Sequence, residues 1–250
     1  MLKQVLNCIK IYKMKSWKLF SSKKLVPVSE LNIELISLHI PKTGGTSFRS
    51  LLNNNYGIEN VAQFDINYKE NKYKFKINGK EVAEPLFPKD TKVLHGHFEY
   101  LNLIELYPNL KNVPIVTWVR DPVKRVVSNY YYLLEILTQE NKNKPLALSL
   151  INRLACTLEE FSARPHARNK MTRYLKGLDI HSAYFIGIIE NYSEDVLKLS
   201  KMLNWKHQHQ EAVNQTSNKK TSIEDSIIKI IEGYNELDVQ LYKDITQLVK

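Results

Sequence analysis

Short apolar runs bounded by turn residues recur along this chain, and most are followed by a helical pattern. The run Leu35-Ile36-Ser37-Leu38-His39-Ile40 stops at Pro41 and fits a buried strand. After Gly44-Gly45, the segment TSFRSLLNNN places Phe48, Leu51 and Leu52 on one helical face, with Thr46 or Ser47 as cap. Residues 92–98, KVLHGHF, read as another strand or strand end. Ile115-Val116-Thr117-Trp118-Val119 is a third buried run. It leads through Arg120-Asp121-Pro122 into a helix to about Leu137, with Asp121 as N-cap and Pro122 in the first helical position. Between these, Tyr73, Phe75 and Ile77 alternate before Asn78-Gly79, which predicts a hairpin inside an insertion at 65–90.

The later pattern continues in the same way. Thr157-Leu158-Glu159-Glu160 is a capping box, and a helix from Lys170 to Lys176 stops at Gly177. Tyr184 to Ile189 is a strand, Ser193 caps a helix through Leu203, and a long helical pattern from Ser222 is interrupted near Gly233. Strands alternating with helices predict an α/β domain around a mostly parallel sheet. A chain of 250 residues suits one domain, here 31–250, preceded by a basic lead-in at 1–30 that ends near Pro27.

Composition narrows this little. Hydrophobic content of 43% against 25% charged is globular material. The formal net charge of +10 attracts nucleic acid, acidic membrane, acidic polysaccharide or a polyphosphate ligand, and does not choose among them. Cys8 and Cys156 stand far apart with no C-x-x-C pair, which argues against a disulfide framework or a cysteine zinc site. No apolar run approaches the roughly 20 residues of a membrane span. The basic, apolar N-terminus lacks a signal-peptide core and cleavage site, so the expectation is a soluble cytoplasmic protein. The basic, apolar N-terminus also suits a weak interfacial helix, peripheral at the inner membrane face.

Three sites carry chemistry. The first is HIPKTGGTS at 39–47, where a strand turns through two glycines into a helix. Amide N–H groups at a helix start favour an anion, Gly44 and Gly45 let the backbone approach it, Lys42 adds charge, and Thr43, Thr46 and Ser47 add hydroxyls. A Walker A loop places its lysine after the glycines; here Lys42 precedes them. The second is VTWVRDPVKRVVSNYYYL, where Arg120 leaves a strand and Ser128 follows on a helix, a pair suited to a phosphate dianion. The third is His95-Gly96-His97: on a strand, i and i+2 share a face, and an imidazole pKa near about 6.5 suits a general base. A zinc site would need a third ligand, and no H-E-x-x-H companion exists. His207 and His209 lie in a polar stretch and read as surface.

Together PKTGGTSFRSLL, HGHF and VTWVRDPVKRVVSNYY resemble the carbohydrate sulfotransferases, especially the heparan sulfate and uronyl 2-O-sulfotransferase branch. LEEF, NKMTRYLKG, FIGIIENYSEDVLKL and YNELDVQLY extend the resemblance over about residues 35 to 245. It implies a P-loop-like three-layer sandwich with helices on both faces of a mostly parallel sheet. It also implies the donor 3′-phosphoadenosine 5′-phosphosulfate, which leaves adenosine 3′,5′-bisphosphate as product. On that likeness Lys42, Thr43, Gly44, Gly45, Thr46 and Ser47 would hold the 5′-phosphosulfate, and Arg120 and Ser128 the 3′-phosphate. His97 would be the catalytic base with His95 assisting. Asn214 to Lys220 would cover the donor, and Arg173, Lys124 and Arg125 would touch the acceptor. The eukaryotic members carry an N-terminal membrane anchor; none is expected in this Lys-, Asn- and Ile-rich, bacterial-looking chain, which argues against heparan itself as acceptor.

The expected reaction is transfer of a sulfuryl group to a hydroxyl of a carbohydrate, polysaccharide or glycolipid, with His97 taking the proton and Lys42 stabilising the leaving phosphate. That scheme requires no metal and no nucleic acid. Two other classes remain: a P-loop phosphotransferase, which would want Mg²⁺ and a lysine after the glycines, and a non-catalytic binder of acidic glycan.

Overall fold

The apolar runs become strands buried on both faces, which is why they read as continuous instead of alternating. The computed structural model describes residues 24–139, 156–207 and 223–249. In chain order these form β1 (Leu25–Pro27), β2 (Leu35–Leu38), α1 (Gly45–Tyr56), β3 (Val61–Lys69), β4 (Lys72–Ile77), β5 (Lys80–Val82) and β6 (Leu86–Pro88). Then come β7 (Val93–Gly96), α2 (Tyr100–Leu106), β8 (Ile115–Val119), α3 (Pro122–Gln139), α4 (Leu158–Ser162) and α5 (Lys170–Tyr174). The last are β9 (Phe185–Ile188), α6 (Tyr192–Met202), α7 (Asp225–Tyr234) and α8 (Glu236–Leu248).

One seven-stranded sheet runs in the order β5-β4-β3-β7-β2-β8-β9. The five strands from β3 to β9 are parallel, and β4 and β5 add an antiparallel edge. Alternate residues of each central strand enter opposite layers. Leu35, Val93, Val116 and Trp118 pack with Phe48, Leu51 and Leu52 of α1 and Val196 and Leu199 of α6. Ile36, Leu38, Leu94 and Val119 pack on the other side with Leu103, Met171 and Ile245 from α2, α5 and α8. This is a mixed α/β domain with helices on both faces, as expected.

Several details differ from the pattern reading. Residues 25–30, read as lead-in, belong to the fold: β1 pairs antiparallel with β6, and Val26 and Val28 are buried. The strand that leads into the insertion begins at Val61: Val61 to Gln63 pair parallel with β7 as part of the main sheet, and the antiparallel hairpin with β4 starts at Phe64. It then turns at Glu70-Asn71 and again at Asn78-Gly79, with positive φ at all four residues, the geometry of tight hairpin turns. Neither Thr46 nor Ser47 caps α1, since Gly44 is its N-cap with no side-chain bond. Ser193 is likewise inside α6, whose N-cap is Asn191. The C-terminal pattern is interrupted near Gly233 as read, at the buried Asn235. The Thr157 to Glu160 capping box forms with both of its bonds, and Asp121 caps α3 by accepting from the Lys124 N–H.

Candidate active site

The three chemical motifs sit at the carboxyl ends of β7, β2 and β8, which are neighbours in the sheet. That edge of an open parallel sheet is where ligands of such folds bind.

At the end of β2 the chain enters the glycine loop. Lys42 takes a left-handed conformation with φ of 71°, uncommon for a residue with a side chain and a form of strain that concentrates at functional sites. Gly44 follows with φ of 76° and starts α1. No side chain caps α1, so the first-turn amides of Gly45 and Thr46 are left for an anion. Gly45 cannot be anything larger, because a Cβ there would lie 2.0 Å from the ring of His39. Thr43 departs from expectation: its buried hydroxyl donates to the Ile40 carbonyl at 2.8 Å and braces the loop from within. Thr46 is exposed, and Ser47 is buried in the first turn.

Lys42 projects toward α3, where its ammonium lies 3.7 Å from the centroid of the Tyr132 ring. Desolvation, then the nearby Arg120 guanidinium, lower its pKa to about 8, against a smaller opposing effect of Glu135. Tyr132 is one helical turn beyond the half-buried Ser128, so the face of α3 carrying Ser128 turns toward the loop. Arg120, at the end of β8, donates to the Lys42 carbonyl at 3.2 Å and so ties the glycine loop to the end of β8. Among the described residues its buried Nε has no hydrogen-bond partner. An orphan guanidinium nitrogen at a strand end that is tied to the glycine loop fits a bound phosphate. The backbone beyond Arg120 is held by Glu190, whose carboxylate accepts from the Asp121 N–H at 3.3 Å and from the Tyr242 hydroxyl at 3.1 Å.

The histidines form a stack of three. His39 lies between the other two, with centroids 5.2 Å from His95 and 4.2 Å from His97. His95 is buried, and its Nδ1 lies 2.8 Å from the Ser37 hydroxyl. Burial is the main cause that holds His39 and His95 well below the ordinary imidazole range, with their cationic neighbours adding to it. His97 is half-buried, and its Nδ1 lies 2.7 Å from the His39 carbonyl. A carbonyl only accepts, so Nδ1 carries the proton and Nε2 keeps the lone pair. The His97 N–H in turn donates to Asp65 Oδ1 at 2.8 Å. Gly96 between the histidines does not make room for a substrate. It makes room for β3, since a Cβ there would lie 1.7 Å from the Phe64 carbonyl oxygen. The third imidazole does not build a zinc site: the rings stack, and no group of metal-ligating side chains occurs among the described residues.

The three basic residues expected at the acceptor part company. Arg125 is 1% exposed, donates to the Ala167 carbonyl at 2.8 Å and faces Asp238 at 3.8 Å, so it is internal. Lys124 is exposed on the first turn of α3. Arg173 of α5 pairs at 3.0 Å with Glu99, two residues beyond His97. Asn214 to Lys220 and the basic N-terminus before residue 24 lie outside the described residues. No described helix is long and apolar enough to cross a membrane. The pattern reading passed over His39, Ser37 and Asp65. Ser37 and His39 were the polar positions of an otherwise apolar strand, and that was their signal.

No curated protein matches the chain. Among solved structures, a sulfotransferase from Alicyclobacillus acidocaldarius is 14% identical, covers 83% of this chain and 93% of its own, and superposes with a TM-score of 0.44. A mouse sulfotransferase complexed with PAP is 10% identical over 81% of this chain and 63% of its own, with a TM-score of 0.37. The model of the Sulfotransferase family matches residues 30–244, which takes in the loop, the histidines, Arg120 and Ser128. The chain belongs to the sulfotransferase family.

Proposed function

We propose that this enzyme transfers a sulfuryl group from 3′-phosphoadenosine 5′-phosphosulfate to a hydroxyl of a carbohydrate, with His97 as general base. The observation that carries the reading is the 2.7 Å contact of His97 Nδ1 with the His39 carbonyl: a carbonyl only accepts, so Nδ1 donates and Nε2 keeps its lone pair at the carboxyl edge of the sheet. The donor supplies a sulfuryl group on a phosphate leaving group. Lys42 and the Gly45 and Thr46 amides hold that phosphate and meet the charge that grows on it, the kind of preorganised donor set worth roughly 3–4 kcal/mol per good donor. Arg120 and Ser128 hold the 3′-phosphate, the former through its unpartnered Nε. Thr43 and Ser47 shape the loop. His97 Nε2 takes the proton of the acceptor hydroxyl as that oxygen bonds to sulfur, a contribution of about 10²–10⁴-fold. His95, fixed by Ser37, supports the stack.

Arg173, held by Glu99 beside His97, is the basic residue that we place on the acceptor side. HGHF and RDPVKRVVSNYY favour the uronyl 2-O branch within the family. The test is transfer from the phosphosulfate donor into a panel of oligosaccharides, read by mass spectrometry. His97→Ala should abolish transfer and keep adenosine 3′,5′-bisphosphate binding. Full activity in that variant would sink the base assignment. Salt-sensitive polyanion binding without transfer would replace the reading by a glycan binder.

A further inference from the structure

We infer that His39 is a positioning residue that couples the donor loop to the base: its ring spaces the first residue of α1 from His97 and supports the orientation of His97. The inference rests on the assignment of His97 as base.

His39 follows β2 directly, and its backbone is pinned to the His-Gly-His segment from both sides. Its N–H donates to the Gly96 carbonyl at 2.8 Å, and its own carbonyl accepts from His97 Nδ1 at 2.7 Å. The parallel register puts Ser37 opposite His95. Two residues on, the His39 ring comes to lie against His97, at 4.2 Å and an interplanar angle of 29°. On the loop side the same ring occupies the space a side chain at position 45 would need: a Cβ there would fall 2.0 Å from Nε2, 2.1 Å from Cδ2 and 2.2 Å from Cε1. The ring is therefore a spacer with the first residue of α1 on one side and the base on another. Burial is the first cause that disfavours its cation, and the charged or titratable groups that face it, His97, His95, Arg49 and Lys42, are all cations or imidazoles that add to this. His39 thus stays neutral. A neutral ring is a suitable neighbour for His97 in either protonation state, and it does not compete for the acceptor proton.

The coupling is testable without the transfer reaction. Gly45→Ala pushes a methyl into the ring and should weaken adenosine 3′,5′-bisphosphate binding about tenfold, the scale of overpacking in a tight site. In a His39→Ala background the space exists, so the same Gly45→Ala change should cost little, giving a clear interaction in a double-mutant cycle. His39→Ala alone should lower kcat by about tenfold to a hundredfold while bisphosphate affinity stays within a few-fold, because it is the base that loses its support. His39→Gln, with a flat polar side chain, should restore part of kcat. Nitrogen NMR of labelled histidines should show His97 as the Nδ1–H tautomer in both proteins, since the carbonyl at position 39 is backbone, but with an exchange-broadened signal in His39→Ala, where the ring has lost its stacking partner.

Additive costs in the binding cycle, or an unchanged kcat and an unchanged His97 signal in His39→Ala, would overturn the inference. If His39→Ala does not fold, Gly45→Ala decides the matter: kcat at saturating donor must fall along with affinity, and a pure affinity loss refutes the coupling. Should His97→Ala prove active, the base assignment fails, whereas the Gly45 and His39 cycle in bisphosphate binding still reads the wedge by itself.

Discussion

Replacing Asp238 by alanine should unfold much of what holds the acceptor side of the site. Asp238 is fully buried near the start of α8. It accepts from the Met171 N–H at 3.1 Å, the Thr172 N–H at 2.8 Å and the Thr172 hydroxyl at 2.9 Å, which makes it the cap of α5 supplied from another helix. Its own N–H donates to Asn169 Oδ1 at 3.2 Å. It also faces Arg125, whose buried Nε has no other partner among the described residues. Burial lowers the Arg125 pKa to about 10, against the opposing pull of Asp238, so the guanidinium is still charged at neutral pH. Asp238→Ala would leave a buried cation without its counter-ion and two helix amides without acceptors. Breaking a buried pair in this way costs about 3–5 kcal/mol. For a chain of this size that is a Tm lower by roughly 6–20 °C. Urea unfolding followed by fluorescence of the buried Trp118 and Trp205 measures it. The double variant Asp238→Ala with Arg125→Met removes the stranded charge and should recover part of the loss, leaving the unpaired amides at about 1–3 kcal/mol. A single-variant loss under about 1 kcal/mol, or a double variant worse than the sum of the singles, refutes the account.

Three further outcomes follow from the site. The free-enzyme pKa of Lys42, about 8, makes the residue a cation below that pH and neutral above it, so kcat/KM for the donor should fall as pH rises through about 8. Lys42→Arg should remove that limb, and its survival in the variant would assign it elsewhere. Tyr132→Leu takes the ring from the Lys42 ammonium and should move the limb down by about half a pH unit, while Tyr132→Phe leaves it in place. Gly96→Ala sets a methyl against the Phe64 carbonyl oxygen of β3, a backbone atom that cannot rotate away, and should cost about 1–3 kcal/mol together with activity. Normal stability and turnover in that variant would show that the strands have slack.

Much of the fold was legible because each apolar run ended in a residue with a local meaning. Pro41 stopped β2, Asp121-Pro122 opened α3, and the Thr157 to Glu160 box opened α4. What was not legible is what depends on a distant partner. β1 has only three residues, and nothing in them announces pairing with Leu86–Pro88. Arg125 reads as one more surface cation on a basic helix, since the Asp238 that buries it is 113 positions away. Thr43 reads as a donor hydroxyl because the backward turn of the loop, which spends it on Ile40, is set by the left-handed Lys42.

The position of that lysine explains how this loop differs from a Walker A loop in physical terms. A lysine after the glycines would be in the helix; Lys42 stands before them, in the loop, with φ of 71°. That backbone turn gives the carbonyl of Lys42 to Arg120 and its ammonium to the face of α3 that bears Ser128 and Tyr132. One strained residue therefore joins the loop to the strand-end arginine and to the helix that follows it. The sequence order of loop, histidines and Arg120 says nothing of this, because the junction exists only once β7, β2 and β8 lie side by side. The strain at Lys42 persists because the Arg120 bond on one side and the Thr43 bond to Ile40 on the other over-determine the turn. Those two bonds, and not the glycines alone, hold Lys42 between the loop and the face of α3.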